Sequence, residues 1–190
     1  CGCKAGLLAK FGDGDGGVLY SAHSDVVSTE GQDWTSDPFV LHRTGGRVIG
    51  RGTTDMKGFL ACVLAQARSC RDMPPEKPFM IALSWDEEIG CQGIPNMIDH
   101  VVPFLGCPDL VIVGEPTEMN LAIAERGLIV FDGIISGKPS HAAHENHDSS
   151  IMKLPKVLKW FKTFSFKKKS DLLGPVKITV TQVEAGVQHN

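Results

Sequence analysis

Apolar and polar positions change period several times along the chain, and each change marks an element. Ala5 to Phe11 and Val18 to Ala22 read as two strands joined by the glycine-rich turn Gly12-Asp13-Gly14-Asp15-Gly16-Gly17. Met56 to Arg71 is mostly apolar and long enough to predict a buried helix. Phe79 to Ser84, bounded by Pro78 and acidic residues, predicts an interior strand. Ile94 to Val102 has helical spacing, and Leu110 to Val113 predicts a second interior strand that stops at Gly114-Glu115-Pro116. Further on, the pattern predicts a strand over Gly127 to Ser136, a loop, a helix over Ser149 to Phe164, and a strand over Val176 to Glu184. Strands alternating with helices predict an α/β fold with a mixed sheet flanked by helices. Sites in such folds collect at the carboxyl ends of the strands.

Charge divides the chain. Residues 1–117 hold nine basic and fifteen acidic side chains, whereas residues 118–190 hold ten and seven. An acidic part followed by a basic part predicts two units. The net charge of −3 gives no general attraction to nucleic acid. No apolar run is long enough to span a bilayer, and Cys1-Gly2-Cys3-Lys4 opens no apolar h-region, so a secretory signal is not expected within these residues. The six cysteines match no zinc-finger spacing. Cys62 and Cys70, within the apolar helical stretch, are expected to be buried and reduced, which fits a cytoplasmic location. The bare start and the end at Asn190 are those expected of a piece of a longer protein.

Residues that bind metals fall where the predicted strands end. His23-Ser24-Asp25 follows one strand, Asp86-Glu87-Glu88 a second and Glu115 a third, while Asp55 opens the apolar helix. Taken one at a time, each has an ordinary explanation, such as a first-turn helix acid, a solvated loop or a satisfied core histidine. Together they would repel one another unless a cation neutralises them. One histidine among carboxylates suits zinc, cobalt or manganese. Two metals about 3.5–4 Å apart need a bridging carboxylate, and a further carboxylate that is not a ligand serves as general base. Glu87 and Glu88, being adjacent, are able to divide those tasks.

Four segments resemble the aminoacylase and acetylornithine deacetylase family of dinuclear zinc amidohydrolases, which includes the succinyl-diaminopimelate desuccinylases. They are Ser21-Ala22-His23-Ser24-Asp25, Gly50-Arg51-Gly52-Thr53-Thr54-Asp55-Met56-Lys57-Gly58, Asp86-Glu87-Glu88 and Gly114-Glu115-Pro116-Thr117. Gly31-Gln32-Asp33-Trp34-Thr35-Ser36-Asp37-Pro38-Phe39 looks most like the acetylornithine deacetylase branch. The resemblance implies a catalytic zinc-hydrolase domain over 1–118 and the first part of an α+β dimerisation lid over 119–190, both incomplete. It implies that His23 and Glu115 hold the first zinc, that Asp55 bridges to a second held by Glu88, and that Co²⁺ or Mn²⁺ are substitutes. Asp25 would orient the imidazole of His23, and Glu87 would be the general base and acid. Gly137-Lys138-Pro139-Ser140-His141-Ala142-Ala143 resembles the lid motif whose histidine crosses the homodimer, which makes His141 an oxyanion donor. The alternatives for His141 are a plain surface loop and a local metal site with His144 and His147. Asn190 falls where the family has a substrate-binding asparagine.

This sequence departs from the family at Ser28, where proline is commoner. The family's last histidine ligand of the second zinc lies beyond the chain. The implied reaction is hydrolysis of an N-acyl amide, first of all N-acetyl-L-ornithine to L-ornithine and acetate in arginine synthesis. N-succinyl-diaminopimelate, other N-acyl amino acids and dipeptides are the alternative substrates. A truncated, non-catalytic module that dimerises or binds metal is the alternative from another class.

Overall fold

A computed structural model describes residues 4–186. These fall into two compact units divided between Asn120 and Leu121. In the first unit the elements run β1 (Leu7–Phe11), β2 (Val18–His23), β3 (His42–Thr44), β4 (Arg47–Ile49), α1 (Lys57–Asp72) and β5 (Phe79–Ser84). A 3-10 turn (Ile94–Asn96), α2 (Ile98–Leu105) and β6 (Leu110–Val113) complete it. The main sheet has the order β1-β5-β2-β6, with β5, β2 and β6 parallel and β1 antiparallel to β5. This is the expected α/β architecture with a mixed sheet flanked by helices.

Alternation along β5 builds the core. Phe79 and Ile81 face α1 and pack with its Val63, Ala67 and Cys70, while Tyr20 and Phe59 close the cluster. Met80 faces the other way, with Leu19 of β2 and Leu105 of α2. Successive side chains on opposite faces place one helix on each side of the sheet.

Four expectations about this unit change. First, Gly12 to Gly17 does not close a hairpin, because β5 inserts between β1 and β2. The turn is tied instead to the start of β6. Gly17 donates its N–H to Asp109 Oδ2 at 3.0 Å, and its carbonyl accepts the N–H groups of Asp109 and Leu110. Gly17 has φ +82°, and a Cβ there would lie 2.1 Å from the carbonyl oxygen of Pro78, so glycine is required twice over. Second, Leu110–Val113 is an edge strand rather than an interior one, paired only with β2 and largely exposed. Third, α1 buries a stripe of Val63, Ala67 and Cys70 rather than its whole circumference, since only one side meets the sheet. Fourth, Cys62 points away from that stripe and is exposed, while Cys70 is buried as expected. The β3–β4 hairpin went unpredicted although its Gly45-Gly46 turn, with φ +55° and +75°, is a standard two-residue signal.

In the second unit, α3 (Ser150–Thr163) forms where helix was expected, and Ser149 Oγ caps it by accepting the Met152 N–H at 3.4 Å. Trp160, Phe161, Phe164 and Phe166 stack along and beyond its last turn. The strands expected over Gly127 to Ser136 and Val176 to Glu184 are not formed. The only pairing in this unit, among the described residues, is the two-residue ladder of β7 (Lys169–Ser170) with β8 (Gly174–Pro175). A strand needs a neighbouring backbone to bond, and Leu128, Phe131 and Ile134 stand at least 83% exposed. Among the described residues no helix is long and apolar enough to cross a membrane.

Candidate metal centre

The three parallel strands end at one edge of the sheet, and their next residues supply most of the chemistry. His23 is the last residue of β2 and is 2% exposed. Glu87 and Glu88 follow β5, and Glu115 follows β6 after Gly114. That glycine sits against α1, where a Cβ would lie 2.0 Å from Phe59 Cγ, so the turn carrying Glu115 passes this close only without a side chain. Asp55 arrives from the other direction, just before α1, and the Asp55–Met56 peptide is cis.

These residues converge. His23 Nε2 lies 3.1 Å from Asp55 Oδ1, 3.7 Å from Glu115 Oε1 and 3.9 Å from Glu87 Oε2. Two groups have donor atoms within 4.8 Å of one another: His23 with Asp55 and Glu115, and His23 with Glu87 and Glu88. Distance from the imidazole alone thus does not separate Glu87 from Glu115. The other ring nitrogen faces Asp25, with the carbonyl oxygen at 3.1 Å and Oδ1 at 3.4 Å. Asp25 also does something that its sequence position did not disclose. Its carboxylate accepts the backbone N–H of Glu87 at 3.2 Å and of Glu88 at 3.1 Å, so one side chain fixes both the imidazole and the acidic loop. Asp86, next to them, lies in the left-handed region, φ +55°, and pairs through its carboxylate with Lys4. Cys91, whose place beside the site carried no sequence signal, donates its S–H to Glu87 Oε1 at 3.7 Å.

The electrostatics of the cluster are those of carboxylates crowded around one imidazole. Burial alone would lower the pKa of His23, but Glu115, Asp25, the hydrogen bond to Asp55 and Glu87 outweigh it and raise the pKa above the ordinary histidine value. Burial, and then the charge of Asp55, push Glu115 and Glu88 above the usual carboxylate range. Asp55 is the leading charged neighbour of both. For Asp25 burial opposes the charge, yet the N–H groups of Glu88 and Glu87 hold its pKa below the usual range. One buried imidazole with several carboxylates that repel one another fits a divalent cation of the zinc, cobalt or manganese type.

Beside Asp55 and Glu88 opens a cavity of about 360 Å³, walled by Trp34, Arg51, Thr53 and Thr54. The Arg51 guanidinium stacks over Trp34 at 5.1 Å and donates to Gln32 and to the carbonyl of Ser28. In the second unit His141 sits at a turn, and its Nδ1 accepts the Ala143 N–H at 3.1 Å. Its ring centroid is 6.0 Å from that of His144, whereas His147 pairs with Glu145 at 3.5 Å. Among the described residues these three histidines form no metal-binding group. Asn190 lies outside the described residues.

Comparison with known proteins agrees with this arrangement. Residues 19–187 match Peptidase family M20/M25/M40. The chain is 35% identical over 144 residues to an acetylornithine deacetylase of Buchnera aphidicola subsp. Acyrthosiphon pisum (strain Tuc7), which covers 76% of this chain and 37% of that protein. It is 36% identical over 141 residues to the acetylornithine deacetylase of Buchnera aphidicola subsp. Schizaphis graminum (strain Sg), covering 74% and 36%. Human carnosine dipeptidase 1 in its crystal structure is similar with a TM-score of 0.52 and 25% identity, over 62% of this chain and 26% of that one. The chain therefore spans little more than a third of the length of these deacetylases. With the match running across both units, and the acidic cluster at the strand ends, the chain belongs to peptidase family M20/M25/M40.

Proposed function

We propose that the complete protein hydrolyses the amide bond of an N-acyl amino acid, with N-acetyl-L-ornithine as the first substrate and acetate and L-ornithine as products. The observation that carries this reading is a buried imidazole, His23, ringed by Asp55, Glu115, Glu87 and Glu88 at one sheet edge. The likeness to two acetylornithine deacetylases supports the choice of substrate. A dipeptide is the second reading, supported by the likeness to a carnosine dipeptidase.

His23, Asp55 and Glu115 would hold one zinc, and Asp55 and Glu88 would contribute to a second. Bound there, the metals supply Lewis acidity toward the scissile carbonyl and the attacking water. The chain's own residues do the rest. Asp25 keeps the His23 ring oriented through Nδ1 and keeps Glu87 and Glu88 in place through their N–H groups. Glu87 accepts a proton from the water as its oxygen adds to the carbonyl carbon, then passes it to the departing amine as the C–N bond breaks. The cavity beside Asp55 and Glu88 receives the substrate, screened by Trp34 and Arg51.

Residues 119–190 belong, in this reading, to a lid through which two copies pair. The exposed apolar run Leu128 to Phe131 supports an interface there. His141 of one copy would then donate Nε2–H to the oxyanion in the other, a tautomer that suits the N–H its Nδ1 accepts from Ala143. Asn190 would contact the substrate. Exposed thiols at Cys62 and Cys107 go with a reducing, cytoplasmic location.

The test is turnover of N-acetyl-L-ornithine and of carnosine by the complete protein and by its Glu87→Gln variant. The variant should retain its metal and lose about 10²–10⁴-fold in kcat. Unchanged turnover removes Glu87 as the base. A zinc-loaded wild type that hydrolyses no amide leaves the non-catalytic module as the function.

A further inference from the structure

One fully buried, polarisable side chain beside the metal donors has no part in the mechanism above. Met56 is 0% exposed and directly follows Asp55, at the N-cap of α1. Its sulfur lies 3.2 Å from the backbone nitrogen of His23 and accepts that N–H. The strand register explains why an acceptor is needed there. The Ser24 N–H donates to the carbonyl of Ser84, on the β5 side. N–H groups alternate sides along a strand, so the His23 N–H faces the β6 side. Pairing with β6 ends at Ser21↔Val113, and Gly114 already turns its N–H back to the carbonyl of Ser21. The His23 N–H therefore lies buried past the end of its ladder, where lack of a partner is costly.

We infer that Met56 is a positioning residue of the metal centre. Its thioether stands in for the missing ladder carbonyl and pins the end of β2 to the start of α1. His23 ends β2 and Asp55 immediately precedes Met56, and their facing atoms are 3.1 Å apart. The α1 side of this pin is firm, because the Lys57 N–H donates to Gly52 and the carbonyl of Met56 accepts the Leu60 N–H. Leucine has nearly the same volume and no acceptor, so Met56→Leu removes the pin and keeps the packing. The inference rests on the metal-centre reading and not on the identity of the reaction.

The experiment measures zinc affinity of the complete protein by competition with a chromophoric chelator, with metal-free melting run in parallel. Met56→Leu should weaken zinc binding about tenfold, as removal of groups that orient metal ligands does. Met80→Leu, at another 0% exposed position but in the core cluster with Leu19 and Leu105, is the stability control and should leave zinc affinity unchanged. Selenomethionine retains the acceptor and should preserve affinity. Zinc binding by Met56→Leu within about twofold of wild type, or equal weakening by Met80→Leu, overturns the assignment. Amide hydrogen exchange in the metal-free wild type needs no variant to fold. The His23 N–H should be protected like that of Ser24, and exchange at the rate of an open loop also overturns it. Zinc uptake without hydrolysis overturns only the proposed reaction, while a wild type that takes up no zinc overturns the metal centre and this inference together.

Discussion

Asp25 makes three contacts at once, and Asp25→Asn separates them with almost no change of shape. In the wild type the carboxylate accepts the N–H groups of Glu87 and Glu88 and faces His23 Nδ1. Asparagine keeps one acceptor oxygen and turns an NH₂ toward the other N–H, so one bond to a charged acceptor is lost and one becomes neutral. Hydrogen bonds to charged groups contribute ~1.5–3 kcal/mol and neutral ones ~1 kcal/mol. The Asp25 side chain is 22% exposed, which favours the lower end and gives a net loss of about 2 kcal/mol. Zinc affinity should fall about 10–100-fold, because the imidazole and the loop carrying Glu88 are both freed. Urea unfolding of the metal-free protein reads the first number and chelator competition the second. The pKa of Asp25 is depressed on folding, so its stabilisation is present above the ordinary value of 3.8 and is lost as pH falls through the lower folded value. The gap between wild type and variant should therefore narrow only in that acid range. Equal stability and equal zinc affinity at neutral pH would refute the account of Asp25 as the shared clamp.

Other outcomes follow from the same structure. The pKa values of Glu88 and Glu115 are raised above 4.5 and that of His23 above 6.5, so each favours the metal-free fold when protonated. Metal-free stability should fall as pH rises above 4.5 through the folded values of the two glutamates and again above 6.5 through that of His23, while zinc uptake, which needs the same groups deprotonated, should strengthen in the same direction; melting curves with and without chelator that show the opposite slopes refute the cluster. Gly17→Ala places a Cβ against the Pro78 carbonyl at φ +82° and should destabilise by more than ~1 kcal/mol in urea unfolding, with wild-type stability as the refuting result. His141→Ala in the complete protein should lower kcat about 10²–10³-fold with zinc content intact. Mixing it with Glu87→Gln should restore part of the activity if the histidine crosses the dimer, and no recovery removes that role.

Much of the site was legible because it is written in short segments at strand ends. The chain's resemblance to a family could be seen from His23-Ser24-Asp25, Asp55 to Gly58, Asp86-Glu87-Glu88 and Glu115 before any fold was known, and the structure brings these residues together. Local pattern also sufficed for β5 and α3, where burial on both faces and helical spacing leave little ambiguity. It failed wherever the answer depends on what lies alongside. A glycine-rich turn between two strands reads as a hairpin, yet β5, sixty residues further on, takes the place between them. Leu110–Val113 and Gly127 to Ser136 have strand composition, but composition does not say which backbone is adjacent, so one became an edge and the other remained unpaired.

What the sequence determined by itself is the inventory of donors and the breaks in the chain that expose them, because both depend on residue type and local period. Only tertiary structure decided how the donors are held. Asp25 reaches Glu87 and Glu88, sixty-two and sixty-three positions away, and Met56 reaches the backbone of His23 across thirty-three. Those contacts exist because strand register ends a ladder at one residue and turns a neighbouring loop toward a carboxylate. Register is a property of paired backbones, and no single segment contains it.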